Sequence, residues 1–133
     1  MLAVDLREFA ERYTAAWSSQ YAESVAAFYA VDGSLIVNDG APAVGRSAIT
    51  EVALSFMTAF PDLCVVMDDL RVHGDRTEYH WTLTGTNTRP GGTGRRVRIS
   101  GSETWQMGVD GLIASSQGRF DSNDYQTQLK AGA

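Results

Sequence analysis

Cysteine is almost absent from this chain. Cys64 is the only one among 133 residues, so neither an intramolecular disulfide nor a cluster of thiolate metal ligands can form. The run DLCVVM around it is typical of a strand, and we predict that Cys64 is buried there. Histidine is nearly as scarce, and His73 and His80 have no partner at the spacing of metal ligands. We therefore expect no protein-bound metal.

Basic charge and long apolar runs are also lacking. The 11 Lys and Arg residues are outnumbered by 16 Asp and Glu, and a net charge of −5 disfavours nucleic acid as a partner. The one basic cluster, Arg95, Arg96 and Arg98, follows a Gly-rich loop and predicts a solvated hairpin tip. No segment approaches the ~18–20 apolar residues of a transmembrane helix, and the charged N-terminus is unlike a signal peptide. These features predict a cytoplasmic protein without a membrane partner.

Three motifs of common enzyme classes are missing as well. The chain has no G-x-G-x-x-G after a strand, no phosphate-binding Gly-Lys-Ser loop and no G-x-S-x-G nucleophile elbow. Nucleotide cofactors and acyl-enzyme chemistry are therefore disfavoured, and we expect no cofactor. What remains is typical of a globular protein, with 44% hydrophobic and 20% charged residues. Without a repeat or linker, residues 1–133 predict one domain.

The first half of the chain predicts three helices. An apolar stripe at helical spacing predicts the first helix, and its members are Leu2, Leu6, Phe9, Tyr13 and Trp17. The second is predicted within 18–33, with Ser19 as N-cap and Asp32-Gly33 as the turn that ends it. The third is predicted over 46–60.

The second half changes to the two-residue period of strands. Five strands are predicted, over 34–39, 62–74, 75–88, 95–107 and 112–120, followed by a closing helical turn within 121–133. The last four strands follow one another through short links, which favours an antiparallel sheet with the helices on one face. The fold class is therefore α+β.

Alternate residues of a strand face opposite sides of the sheet, and one carboxylate interrupts the apolar side. The apolar set predicted to face the helices comprises Tyr79, Trp81, Leu83, Val97, Ile99 and Trp105. Glu103 falls on the same side, where it must find a partner, stay partly wet or raise its pKa. A raised pKa suits a general acid or base. The alternatives are a strand irregularity near Gly101 that lets Glu103 reach water, or a structural partner such as Tyr13.

Five further residues are candidates with two interpretations each. Tyr13 and Trp17 lie on the first helical stripe and either fill the core or line a cavity. Asn38 and Asp39 end the first strand and form either a turn or part of a site. Asp121 follows the last strand, where it fits a helix N-cap or an acid of the site.

Several segments together resemble one family. They are WTLTGTNT from Trp81, GxxxxxSGSETW from Gly94, VDGLI from Val109 and FDSNDYQTQL from Phe120. With the order of elements, they resemble the SnoaL-like polyketide cyclase branch of the nuclear transport factor 2-like superfamily over nearly the whole chain. The resemblance implies a cone-shaped barrel, in which a strongly curved, mainly antiparallel sheet wraps around three N-terminal helices. It also implies an apolar pocket and a homodimer through the outer sheet face, where Thr82, Thr84 and Thr86 lie.

The resemblance carries over to particular residues unevenly. The acid and the histidine of the cyclases correspond to Gly118 and Thr104, neither of which can perform those roles. The ketosteroid isomerases of the superfamily match better, because their tyrosine, base and protonated acid correspond to Tyr13, Asn38 and Glu103. A tyrosine–acid pair of this kind would form an oxyanion hole for an enolate.

The resulting hypothesis is an enzyme that acts on an apolar, carbonyl-bearing small molecule by acid–base chemistry. The predicted catalytic residues are Glu103, Tyr13, Asn38, Asp39 and Asp121. The predicted ligand contacts are Trp17, Phe56, Tyr79, Trp81 and Trp105. The alternative, which Gly118 favours, is a non-catalytic module that binds an apolar ligand or serves dimerisation.

Overall fold

Four helices and six strands make up the described part of the chain. The computed structural model describes residues 3–130, with side chains from Leu6 onward, so Leu2 of the predicted stripe lies outside the described residues. The elements are α1 Ala3–Ser18, α2 Ala22–Ala26, β1 Tyr29–Val37, β2 Ala43–Val44, α3 Arg46–Ala59, β3 Cys64–His73, β4 Arg76–Thr86, β5 Arg96–Met107, β6 Ile113–Phe120 and α4 Ser122–Lys130. Within this range no helix is both long and apolar enough to cross a membrane.

The six strands form one curved, open, mixed sheet in the order β2-β1-β6-β5-β4-β3. Strands β3 to β6 pair antiparallel with their neighbours in sequence, as their short links require. Strand β1 instead runs parallel to β6, because the long segment between them allows the chain to return in the same direction. The predicted α+β class and mainly antiparallel sheet are confirmed.

The inner face of the sheet and the three N-terminal helices enclose the core. The inward residues of β4 and β5 are buried as the alternation predicts, and Tyr13 and Trp105 are completely covered. On the outer face Thr82 is an exception, since it is buried as well. Its hydroxyl donates to Asp68 at 2.5 Å and lies 2.7 Å from the Ser100 hydroxyl, so neighbouring side chains cover it.

The boundary between the second helix and the first strand was predicted wrongly. Helix α2 ends at Ala26, and β1 begins at Tyr29, before the Asp32-Gly33 pair that was expected to end the helix. Buried Tyr29 pairs with Ile113 of β6, and the register between these strands shifts before Ser34. Asp32-Gly33 therefore lies in an irregular stretch within a strand. Tertiary pairing overrides the local turn signal here.

Two local predictions on single residues were also wrong. Cys64 is exposed, because the strand alternation turns its buried neighbours Leu63 and Val65 inward and Cys64 outward. Ser19 is not the N-cap of α2, a position held by Tyr21 without a side-chain cap. The Ser19 hydroxyl instead accepts from the backbone N–H of Tyr21 at 3.0 Å and donates to the carbonyl of Ala16 at 2.6 Å.

Gly101 is where β5 packs most tightly against its neighbours. A Cβ atom there would lie 2.6 Å from Cζ2 of Trp81 and 3.0 Å from Cβ of Phe120, besides meeting the carbonyl oxygen of Arg119. Gly118, opposite Glu103 on β6, has room, since its Cβ would meet nothing closer than 3.4 Å. We predict that Gly101→Ala lowers the free energy of unfolding by about 1–3 kcal/mol, the usual cost of overpacking.

Urea denaturation with unchanged m-values measures this cost, with Gly118→Ala as the matched control that changes stability little. Equal stabilities of the two variants would contradict the packing described for Gly101.

Candidate functional site

A partly enclosed cavity lies between the inner face of the sheet and helices α1 and α3. Including its open mouth, the cavity holds about 560 Å³ of space between atoms. Its lining is largely apolar, contains one carboxyl group, and is formed by Trp17, Leu35, Val37, Val52, Phe56, Val65, Tyr79, Trp81, Leu83, Ile99, Glu103, Gly118 and Phe120. A largely apolar cleft with one ionisable group is typical of a small-molecule site.

Glu103 reaches this cavity from the inner face of β5 and is only 7% exposed. One of its carboxyl oxygens, Oε1, accepts hydrogen bonds from four elements of the fold. Trp105 Nε1 and the Ser116 hydroxyl donate at 2.8 Å, the Tyr13 hydroxyl at 2.9 Å and the Tyr29 hydroxyl at 3.5 Å. The Tyr13 and Tyr29 hydroxyls also lie 2.9 Å apart. The partner that the sequence suggested for Glu103, Tyr13, is therefore present, together with three others.

The second carboxyl oxygen of Glu103 is placed differently. Oε2 has no hydrogen-bond partner among residues 3–130. It is also not one of the unpartnered side-chain atoms in this range that are sealed from solvent, so it keeps some contact with solvent. Because Glu103 lines the cavity, Oε2 is the oxygen that a bound molecule would meet. The donors on Oε1 occupy its lone pairs, so the proton of a neutral Glu103 resides on Oε2.

Burial decides the protonation of this group. Removal from water raises the pKa of Glu103 above its ordinary value, and this effect outweighs the hydrogen bonds from Trp105, Ser116, Tyr13 and Tyr29, which lower it. Burial, followed by the nearby Glu103 charge, also raises the pKa of Tyr13 and Tyr29 well above the ordinary value. Both tyrosines are thus neutral donors at any ordinary pH. The site combines fixed donors with one carboxyl whose proton is exchangeable.

The predicted tyrosine–acid pair has a different geometry from an oxyanion hole. Tyr13 is fully buried behind Glu103 and does not line the cavity. Its hydroxyl donates to Glu103 and therefore has no proton to offer a ligand. Trp105 is also behind the wall, completely buried and stacked on Tyr79 at 4.9 Å between ring centroids. Both residues donate to Glu103, and neither lines this cavity.

The three remaining catalytic candidates lie outside the cavity lining. Asn38 is in the left-handed region at φ 52°, and its side-chain oxygen accepts from the backbone N–H of Phe120 at 2.9 Å. Asp39 projects into solvent and pairs with Arg119 at 3.2 Å. Asp121 accepts from the backbone N–H of Asp124 at 3.0 Å, which is the N-cap interpretation of that residue. Each of these side chains is explained by local structure.

Four of the five predicted ligand contacts do line the cavity, namely Trp17, Phe56, Tyr79 and Trp81. Sequence reasoning missed two members of the carboxyl network, Tyr29 and Ser116. Tyr29 was missed because it was assigned to the second helix. Ser116 could have been found, since it faces the same side of β6 as Gly118 and pairs with Trp105 in the register.

The curved sheet, the helices on its inner face and the cavity between them define a ketosteroid isomerase-like fold. Residues 10–116 match the SnoaL-like domain, and the chain therefore belongs to the SnoaL-like domain family. A search of the curated proteins returned no match.

Solved structures of similar fold span nearly the whole chain. TsrD from Streptomyces laurentii has a TM-score of 0.84 at 19% identity and covers 98% of both chains. A Catenulispora acidiphila protein of ketosteroid isomerase-like fold, solved with trimethylamine, has a TM-score of 0.82 at 17% identity and covers 92% of both. A Jannaschia sp. CCS1 protein assigned to the SnoaL-like polyketide cyclases has a TM-score of 0.78 at 17% identity, covering 96% of this chain and 94% of that one. These identities establish the fold alone.

The raised pKa of Glu103 predicts a pH-dependent stability. In the unfolded chain the group ionises near 4.5, whereas the folded protein holds its proton to higher pH. The stabilisation by the neutral carboxyl is complete below the pKa of Glu103 in the unfolded chain. It is lost as pH rises through the pKa of Glu103 in the folded protein. Relative to Glu103→Gln, the wild type should therefore lose unfolding free energy as pH rises from about 4, by up to ~1.4 kcal/mol for each pH unit between the two pKa values.

Urea denaturation at a series of pH values tests this difference. The amide of Glu103→Gln keeps an oxygen for the four donors, so the comparison isolates the charge. Exposed Glu51→Gln on α3 is the matched control for the removal of one carboxyl group. If the free energy of unfolding of the wild type instead rose with pH relative to that of Glu103→Gln, the raised pKa of Glu103 would be contradicted.

Proposed function

We propose that this protein is an enzyme that moves a proton within an apolar, carbonyl-bearing small molecule, with Glu103 as its general acid and base. The proposed reaction class is isomerisation or intramolecular ring closure through an enolate, as in ketosteroid isomerases and polyketide cyclases. The observation that carries the proposal is the placement of Oε2, an exchangeable proton site in an otherwise apolar wall. Acid–base catalysis is most efficient when the pKa of the group lies near the working pH, and burial moves Glu103 in that direction.

The proposed steps need no group besides Glu103 to carry the proton. In its ionised form, Oε2 removes a proton from the carbon next to the substrate carbonyl, and the C–H electron pair moves to the carbonyl oxygen to give an enolate. In an isomerisation, Oε2 returns the proton to another carbon. In a ring closure, the enolate carbon attacks a second carbonyl, and Oε2 gives the proton to the alkoxide that forms. Either cycle leaves Glu103 ionised again.

Gly118 gives this proposal a structural context. The resemblance places the acid of the cyclases at this position, and Gly118 pairs directly with Glu103 across β6 and β5. A Cβ atom on Gly118 would lie 3.8 Å from Cγ of Glu103, so both positions project toward the same part of the cavity. The carboxyl is thus supplied from the neighbouring strand. The same missing acid favours the second candidate function, a non-catalytic binder of apolar ligands.

Glu103→Gln tests the catalytic role directly. Because the amide cannot exchange a proton with carbon, we expect it to slow catalysed exchange by at least about 100-fold, the usual lower bound for general acid–base groups. NMR in D₂O follows hydrogen–deuterium exchange next to the carbonyl of β-tetralone and of a β,γ-unsaturated ketosteroid. Exposed Glu51→Gln should retain the wild-type rate. Equal exchange by Glu103→Gln would refute the role, and tight binding without exchange by the wild type would establish the binder instead.

Tyr13→Phe tests the positioning of the carboxyl. Without the hydroxyl that donates to Oε1 at 2.9 Å, Glu103 loses a hydrogen bond that lowers its pKa. The rising limb of the pH–rate profile for exchange should therefore move to higher pH. A uniform loss of rate with an unmoved midpoint would show that Tyr13 contributes packing alone.

A further inference from the structure

Among the described residues that line the cavity, Gly118 is the one without a side chain. It is buried in β6, where it pairs with Val37 of β1 on one side and with Glu103 of β5 on the other. Glycine in the interior of a strand lowers stability, and it often marks a place where a ligand or another backbone approaches closely. A glycine directly beside the carboxyl group therefore needs an explanation.

The protein itself does not require glycine at this position. Gly118 is not among the described residues with a positive φ, so its backbone conformation suits any residue. An added Cβ atom would come no closer than 3.4 Å to other atoms, which is an ordinary contact distance, whereas at Gly101 it would meet Cζ2 of Trp81 at 2.6 Å. The space above Gly118 therefore belongs to the cavity and not to a neighbouring side chain.

The opposite flank of the carboxyl group is occupied by Tyr79. This residue pairs directly with Glu103 in the ladder between β4 and β5, and it lines the cavity as well. Its ring is held at two points, because it stacks on Trp105 and its hydroxyl lies 2.5 Å from that of Thr14. A molecule at Oε2 thus meets a fixed ring on the β4 side and bare backbone, at Gly118, on the β6 side.

The position of Val37 places Gly118 on the way into the cavity. Val37 lines the cavity and is half-buried, whereas Gly118 and Glu103 are buried. Because neighbouring strands lie about 4.8 Å apart, Val37 and Glu103 are roughly 10 Å apart across the inner face, with Gly118 between them. A side chain at position 118 would therefore stand between the partly exposed wall and Oε2.

We propose that Gly118 determines substrate specificity, because the space above it accepts a substituent on the carbon whose proton Glu103 transfers. The inference rests on the proposed function in that it places this carbon at Oε2. It directs the site toward carbonyl compounds in which the reacting carbon carries a further carbon group, since such a group fills the space and buries apolar surface. The ring of Tyr79 leaves no such space on the β4 side, and a larger residue at position 118 would remove it on the β6 side.

Binding of two ketones that differ by one methyl group tests this inference. β-Tetralone and 1-methyl-β-tetralone have the same rings and carbonyl group, and the second carries a methyl on the reacting carbon. NMR titration of the ¹⁵N-labelled protein gives both dissociation constants for the wild type, Gly118→Ala and Gly118→Val. The ratio of the two constants within one protein cancels general losses of affinity. We expect Gly118→Val to lower the relative affinity for the methyl compound by at least about 10-fold, as is usual when a pocket discriminates by one methylene, with Gly118→Ala between Gly118→Val and the wild type.

Ser115→Val provides the matched control, because it adds the same side chain to the same strand. Ser115 lies three residues before Gly118 on β6 and faces the outer side of the sheet, away from this cavity. Ser115→Val should keep the wild-type ratio. An unchanged ratio in both Gly118 variants, an equal change in Ser115→Val, or failure of the wild type to bind either ketone would overturn the inference.

A second test needs no ligand. If the flank at Gly118 is the open side of the carboxyl group, the side chain of Gly118→Val displaces the solvent that reaches Oε2 there. Loss of this solvent disfavours the carboxylate, so the pKa of Glu103 should rise further. A ¹³C NMR titration should accordingly give a higher midpoint for Glu103 in Gly118→Val than in the wild type and in Ser115→Val. Equal midpoints in all three proteins would refute the open flank.

The two proposals fail separately. Normal proton exchange by Glu103→Gln, together with an altered binding ratio in the Gly118 variants, would remove the proposed function and leave Gly118 as a determinant of what the cavity binds. Loss of exchange in Glu103→Gln with an unchanged binding ratio in the Gly118 variants would do the reverse.

Discussion

The structure depends on one constraint, which is that a carboxyl group stands on the inner, apolar face of a curved sheet. Removing Glu103 from water is unfavourable, and the fold offsets this with donors from four separate elements. Tyr13 comes from α1, Tyr29 from β1, Trp105 from β5 and Ser116 from β6. The four donors fix how the first helix, the returning strand and the central strands meet. Their convergence on Oε1 also leaves Oε2 to face the cavity.

The two carboxyl oxygens of Glu103 have different roles, one in the stability of the fold and the other in the proposed chemistry. Oε1 belongs to the structural network, where the neutral hydroxyls and the indole orient the group. Oε2 belongs to the cavity, where burial raises the pKa of Glu103 and makes a proton available in an apolar surrounding. A fixed carboxyl with an exchangeable proton is what enolate chemistry requires of a catalyst.

Much of the fold was predictable from the sequence, because it follows from periodicity. The stripe from Leu6 to Trp17 and the alternation along β4 and β5 set the core, and Glu103 stood out as a carboxylate on the apolar side. The prediction failed where pairing between distant strands decides the outcome. Tyr29 was assigned to a helix, since local sequence does not reveal that it pairs with Ile113.

The sequence predicted Glu103, the central residue of the site, but not the arrangement of the side chains around it. The sequence places Tyr13 and Glu103 on facing elements, yet only the structure shows that Tyr13 lies behind the carboxyl group and outside the cavity lining. Asn38, Asp39 and Asp121 were candidates because they end elements near the site, and strand ends and helix caps account for their positions. The sequence also could not show that the buried indole nitrogens of Trp17 and Trp81 lack hydrogen-bond partners among the described residues, since this is a property of the packed interior.

The most direct test of this account is a ¹³C NMR titration of the Glu103 carboxyl carbon, with the resonance assigned by its loss in Glu103→Gln. The account predicts a midpoint clearly above the ordinary value of 4.5 for glutamate, because burial outweighs the four hydrogen bonds. A midpoint at or below that value would mean that the network holds a permanent carboxylate. Glu103 would then be a structural anchor, and the proton carrier of this site would not exist.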